Sequence, residues 1–223
     1  ADLPPTDVTI AVRSNNLRVD GAVRLEGERI TAGSQGIRAM VADAAPLIRR
    51  MLAENGKLLA SPGPVSLAAN LTALEAPLPA AGKPFDLRSL KAQLEAGVQG
   101  LVGVVENEKI DVPSVRLNAA LSPNEPARAT LAASAMHEGR AFAVDGDVAL
   151  DNLFAPDGRL APANARPVGT LTVRDLPVAL ARLAGLADML DLVRSSVGET
   201  VAISARATPV APSGATDLVL EAT

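Results

Sequence analysis

Val144-Asp145-Gly146-Asp147-Val148-Ala149-Leu150-Asp151 repeats an earlier stretch of the same chain, Val19-Asp20-Gly21-Ala22-Val23-Arg24-Leu25-Glu26. Both read V-D-G-x-V-x-L followed by an acid. Apolar and polar residues alternate, which is the period of a strand with one face buried and one in water. In the first copy Leu17, Val19, Gly21, Val23 and Leu25 share the apolar side, and Arg18, Asp20, Arg24 and Glu26 the other. Glycine on the apolar side leaves a gap or admits another backbone closely. The repetition predicts one supersecondary unit used more than once.

Strands are read outward from these copies. Asp7 to Arg13 alternates with Val8, Ile10 and Val12 on one side, and Arg29 to Ala32 makes a short third strand. The connections between these strands are too short for crossovers, so the pairing is antiparallel. Val65 to Leu74, Asp111 to Leu121, Ala127 to Met136, Val168 to Val173, Val201 to Ala207 and Asp217 to Glu221 carry further strand patterns.

Three segments have helical spacing. Over Ile37 to Glu54, the residues Ile37, Met40, Val41, Ala44, Leu47, Ile48, Met51 and Leu52 form one stripe, kinked or split at Pro46 and stopped at Asn55-Gly56. From the cap Asp86, Leu87, Leu90, Leu94, Val98, Leu101, Val102 and Val105 predict a second helix. Gly97, Gly100 and Gly103 oppose it, and a helix ending at Gly97 before a strand over Val98 to Glu106 is the alternative. The third helix opens at Asp175 and Pro177, carries Leu176, Leu180, Leu183, Ala187, Leu190 and Val193, and ends at Gly198. The expected fold is therefore α+β: about nine or ten mostly antiparallel strands in a curved sheet, with three amphipathic helices on one face. The whole chain, 1–223, reads as one repeat-built domain, with sub-units 1–75, 76–138 and 139–223, and as a segment of a longer protein.

Composition narrows the function classes. Apolar residues are 48% of 223, against a net charge of only −4, which is a folding composition. The apolar content is almost all Ala, Val and Leu, with no Trp or Tyr and three Phe. That disfavours stacking on sugars or single-stranded nucleic acid. The acidic balance and the lack of a basic run speak against a phosphate backbone as partner. The absence of Cys excludes disulfides, thiol catalysis and thiolate metal sites. No run of about 18 apolar residues predicts a transmembrane helix. Ala1-Asp2-Leu3-Pro4-Pro5 reads as a cut from a longer chain or as the start left once a signal peptide is removed.

The chemistry-bearing residues are few. His137 is the only histidine and is expected in a surface turn. Asp145, Asp147 and Asp151 share one side of their strand, but the first copy places Asp20, Ala22, Arg24 and Glu26 there, so a solvated face is expected rather than a Ca2+ site. Gly56-Lys57 lacks the rest of a phosphate loop, and Asn70-Leu71-Thr72 matches a glycosylation acceptor but falls within a strand. No catalytic, cofactor or metal residues are assigned. The helices could lie on a membrane through Arg38, Arg49 and Arg50, but covering the sheet is their expected role.

The run Val168-Gly169-Thr170-Leu171-Thr172-Val173-Arg174-Asp175-Leu176-Pro177-Val178, with its Leu-rich continuation and the V-D-G-x-V-x-L strands, resembles segments of AsmA-like and TamB-like proteins. These are large envelope proteins of diderm bacteria, with repeated β-units that form a long groove of apolar interior, linked to lipid transport and outer-membrane biogenesis. Resemblance is strongest over about Gly139 to Thr223 and weaker over Leu17 to Leu74. The frequent helices and the absence of an N-terminal anchor depart from it. It implies a non-enzymatic module of the periplasm or cell envelope, with lipid acyl chains or neighbouring repeats of the same chain as partners. Ile37, Val41, Leu47, Ile48, Leu90, Leu94, Leu176, Leu180, Leu183 and Leu190 are the expected groove lining. A structural or protein-interaction module without lipid is the alternative. A hydrolase using the carboxylates ranks third.

Overall fold

The computed structural model describes residues 4–53, 63–78, 86–105, 108–180, 198–210 and 215–223. Eleven strands form one open antiparallel sheet in which spatial order is chain order. They are β1 (Thr6–Arg13), β2 (Leu17–Glu26), β3 (Arg29–Val41), β4 (Ser66–Pro77), β5 (Lys91–Val105), β6 (Glu108–Leu121), β7 (Ala127–His137), β8 (Arg140–Asp151), β9 (Arg166–Pro177), β10 (Thr200–Val210) and β11 (Ala215–Ala222). Adjacent strands sit ~4.8 Å apart, so short turns suffice for most links. The V-D-G copies become β2 and β8, each a long strand inside the sheet, as their alternation requires.

The expected α+β architecture with three amphipathic helices is corrected. One α-helix, α1 (Ala45–Ala53), stands among the described residues. Ile37 to Val41 belongs to β3 instead, and Pro46 lies in the first turn of α1, where its missing N–H costs nothing. The second expected helix is a 3-10 turn at Leu87–Ser89 followed by the 15-residue β5. The third does not begin at Asp175, because β9 runs on to Pro177 and a 3-10 turn occupies 178–180. Its remainder, with Leu183 and Leu190, lies outside the described residues.

The physical reason is an ambiguity of spacing. Leu90, Leu94 and Val98 are four apart, which satisfies a helical turn and also two strand periods. The residues between them decide. Ala92 and Ala96 continue the apolar alternation, while Lys91, Gln93, Glu95 and Gln99 fill the other side. Small apolar residues at every second place make a strand, and three glycines would burden a helix by about 1 kcal/mol each.

The ladder registers bring the same kind of residue to one face in every strand. Val8, Ile10 and Val12 lie against Val23, Gly21 and Val19, which in turn meet Ala32, Ile37 and Ala39. The face continues through Leu67, Ala69 and Leu71, then Leu94, Ala96 and Val98, then Val115, Leu117 and Ala119. It runs on through Ala129, Leu131 and Ala133 to Val144, Gly146 and Val148, then Leu171 and Val173, Ile203 and Ala205, and Leu218 and Leu220. The opposite face holds the Arg, Asp, Glu, Thr and Ser residues. Register shifts in β3, β4, β6 and β10 mark bulges, which bend a strand and increase its twist.

Buried residues gather at the two ends of this face. At one end Ala135, Phe142 and Leu180 pack together with Ile110, Val112, Val144, Val173 and Leu176 around them. Nearby in the same rim, Ala44, Ala45 and Val65 are buried where α1 joins β4. Asp43 organises that junction: its Oδ1 accepts from the amides of Ala45 at 2.9 Å and Val65 at 3.2 Å, while Asn16 holds its backbone. At the other end Ala76, Ala92 and Ala127 are buried.

Candidate functional site

The site offered by this fold is the apolar face itself. In a two-layer domain such a face is covered and its centre buried. Here the strand centres are only half-buried, and several large side chains on the face are open to water. Leu117 is 36% exposed, Leu171 41% and Leu218 65%. Ala, Val and Gly dominate, so short side chains leave the backbone close to the surface of this face.

The repeated glycines shape it. A Cβ at Gly21 would sit 2.7 Å from the Gly36 carbonyl oxygen, so the β3 bulge presses on this position and any side chain would collide with backbone. A Cβ at Gly146 would meet Leu171 at 3.2 Å and Leu131 at 3.5 Å. The second glycine therefore makes room for two leucines from its neighbours.

The polar face explains the acids. Asp20 is paired with Arg18 and Arg13, and the Arg18 side chain holds its carboxyl below the ordinary range. Asp145, its counterpart in the second copy, is paired with Arg174. The aspartates of the motif are thus solvent-facing partners of arginines.

Two loops close one end of the face. Asp86 caps the 3-10 turn, with Oδ1 accepting from the Arg88 amide at 3.0 Å, and it pairs with the Arg88 guanidinium at 2.8 Å. That pairing lowers the Asp86 pKa and raises that of Arg88. The Leu87 amide donates to the Gly158 carbonyl at 3.0 Å, so the 3-10 turn that precedes β5 docks onto the β8–β9 loop. Beside them lies a cavity of about 560 Å3 whose rim includes Arg29, Glu75, Asp86, Arg88 and Lys91. Arg29 is paired with Glu75 at 2.5 Å.

His137 is corrected from a surface turn to a buried position, 2% exposed. β7 reaches His137 in register with Ile110, so its ring falls on the apolar side. The alternation Ala127, Ala129, Leu131, Ala133, Ala135, His137 carries that signal in the sequence. Its Nε2 lies 2.5 Å from Glu108 Oε2. Glu108, His137 and Glu138 bring ligand atoms within 4.8 Å of one another and could hold a divalent ion. The direct His137–Glu108 bond already engages the ring Nε2 and one carboxylate oxygen. No sequence spacing joins residues 29 positions apart.

The expected lining residues fall in different places. Ile37, Val41 and Leu94 are half-buried on the apolar face of β3 and β5. Leu176 and Leu180 belong to the packed cluster at the α1 end. Leu90 is half-buried beside the docked loops, Ile48 is half-buried on α1, and Leu47 is 56% exposed there. Leu183 and Leu190 are outside the described residues. The missed positions are the small ones, Ala69, Ala96, Ala119, Ala129 and Ala133, which complete the face between the larger residues.

No helix of the described residues is long and apolar enough to cross a membrane. Comparison with family models, with curated proteins and with solved structures gives no match for this chain.

Proposed function

We propose that this chain is a non-enzymatic module of a bacterial cell envelope whose sheet carries lipid acyl chains along its apolar face. One observation carries the reading: all eleven strands contribute only apolar residues to the centre of one face, and that face is half open to water. An exposed apolar surface of this extent marks a binding surface in a soluble fold. Its aliphatic, ring-free lining suits a flexible hydrocarbon chain, which needs contact area rather than hydrogen bonds. Lys91 on the rim of the end cavity, where Arg29 and Arg88 are already engaged by Glu75 and Asp86, supplies a positive charge for the polar head of an amphipathic ligand. The resemblance of β2, β8 and β9 to AsmA-like and TamB-like segments agrees with this reading and with an envelope location.

The test is purification without detergent followed by native mass spectrometry, with fluorescent fatty-acid titration of the delipidated protein. Lipid should co-purify. Leu131→Glu and Leu94→Glu, each placing a charge on the face, should reduce binding at least about ten-fold, because a carboxylate covered by hydrocarbon loses hydration that the ligand cannot replace. Thr130→Glu, on the polar face, should leave it unchanged. A protein that carries no lipid and gives no saturable titration sinks the proposal.

A protein-interaction module without lipid is favoured by one observation, the filled cluster of Ala135, Phe142 and Leu180 at one end. It predicts that an apolar dye is displaced by a protein partner and not by fatty acid.

A further inference from the structure

Among the described residues, β1 and β11 are the outermost strands of the sheet, each paired on one side. An edge strand offers a row of unpaired backbone donors and acceptors, and proteins commonly blunt it with Lys or Pro. Neither residue occurs in β1 (TDVTIAVR) or β11 (ATDLVLEA). The two edges differ in what they could receive.

β1 is its own antiparallel complement about Ile10. With Ile10 opposite Ile10 of a second copy, Val8 meets Val12, Thr9 meets Ala11, and Asp7 meets Arg13. Two-fold symmetry makes every one of these contacts except the central one twice. Val8, Ile10 and Val12 all belong to the apolar face, and Asp7 and Arg13 to the polar one. Both faces therefore match across the joint, with two oppositions of unlike charge. Sliding the pairing by two residues either way loses both. The groups are available: Asp7 has no ion pair among the described residues, and Arg13 is 71% exposed in a loose 3.4 Å contact with Asp20.

The competing arrangements fit less well. β11 against itself, with Leu220 opposite Leu220, sets Glu221 against Val219 and brings no unlike charges together. β11 against β1 of another copy, with Leu220 opposite Ile10, opposes only Asp217 to Arg13 and leaves an open-ended array.

We propose that two copies of this chain pair through β1, antiparallel and centred on Ile10, into a closed dimer with one uninterrupted apolar face. In sedimentation velocity the protein should run at twice its 22.7 kDa mass. Asp7→Arg sets two arginines against each other at each end of the joint, and Arg13→Asp sets two aspartates. Each alone should weaken the dimer about ten-fold or more, since like charges directly opposed are destabilising. An equimolar mixture of the two variants restores unlike charges at both ends, so it should re-form a heterodimer near the original affinity. Leu220→Lys, on the other edge, should leave the dimer intact. Circular dichroism of each variant establishes that the sheet is folded. A monomeric parent protein, a mixture of folded variants that fails to re-associate, or a dimer lost with Leu220→Lys but kept by both charge changes would each overturn the proposal.

Discussion

Gly158 is the residue on which the two end loops meet. Its φ is +80°, and a Cβ there would lie 2.2 Å from Asp86 Oδ1. Gly158→Ala combines a left-handed strain with that collision, so it should cost about 1–3 kcal/mol and lower the thermal midpoint. The same loop gives a pH effect. The Asp86 carboxyl is held below its ordinary value of 3.8 by the Arg88 hydrogen bond. A lowered folded-state pKa stabilises above the ordinary value and is lost as pH falls through the lowered one. Stability should therefore fall in acid below about pH 4, and Asp86→Asn should reduce that slope in a pH series of melting curves. His137 and Glu108 form the other local device. Glu108→Gln keeps a hydrogen-bonding partner for the ring, whereas His137→Ala removes a buried ring and its bond to the Glu108 carboxylate. The second should be the more destabilising, by about 1–3 kcal/mol against the parent in denaturant unfolding. Sequence alternation places His137 on the apolar side, but only the fold brings Glu108 to it, because hairpin pairing joins residues far apart in the chain.

At the scale of elements, the end cluster tests what holds the face in place. Phe142 is 9% exposed and Leu180 4%. Leu180→Ala and Phe142→Ala should each cost about 2–5 kcal/mol, the range for large-to-small changes in a packed core. Leu47→Ala, on the exposed side of α1, should cost under about 0.5 kcal/mol. Equilibrium unfolding separates these outcomes. The strands β1, β2, β7 and β8 were legible because strict alternation admits no helical phase. The segments that became β5 and the end of β3 were not, because leucines four apart fit both periods and Ala and Gly carry too little hydrophobicity to break the tie. Tertiary pairing broke it. β5 is hydrogen-bonded on both sides, and a helix there would leave the facing edges of β4 and β6 unpaired.

For the whole molecule, the strand order makes stability nearly one-dimensional. Each strand is bonded only to its neighbours in the chain, as in a repeat array. In the monomeric Asp7→Arg variant, amide exchange should therefore be fastest in β1 and β11 and slowest near β6 and β7, whereas in the paired parent only β11 should exchange fastest, and uniform protection across the variant's sheet would contradict this. The open face adds a second expectation. A ligand that covers it binds only the folded state, so delipidated protein should melt lower. Restoring fatty acid at a hundred times its Kd should return about 2.7 kcal/mol. Scanning calorimetry with and without ligand measures the difference.

The sequence alone determined that apolar and polar residues alternate over most of the chain, that the V-D-G copies are strands, and that the acids of the motif face water. Those conclusions come from side-chain period, which is a local property. Only the tertiary structure decided that eleven strands pair in chain order, that one face is apolar from edge to edge, and that its centre stays half open. The reason is that register and coverage are relations between strands. No single segment records which of its neighbours will be present, or whether a second layer will arrive to bury it.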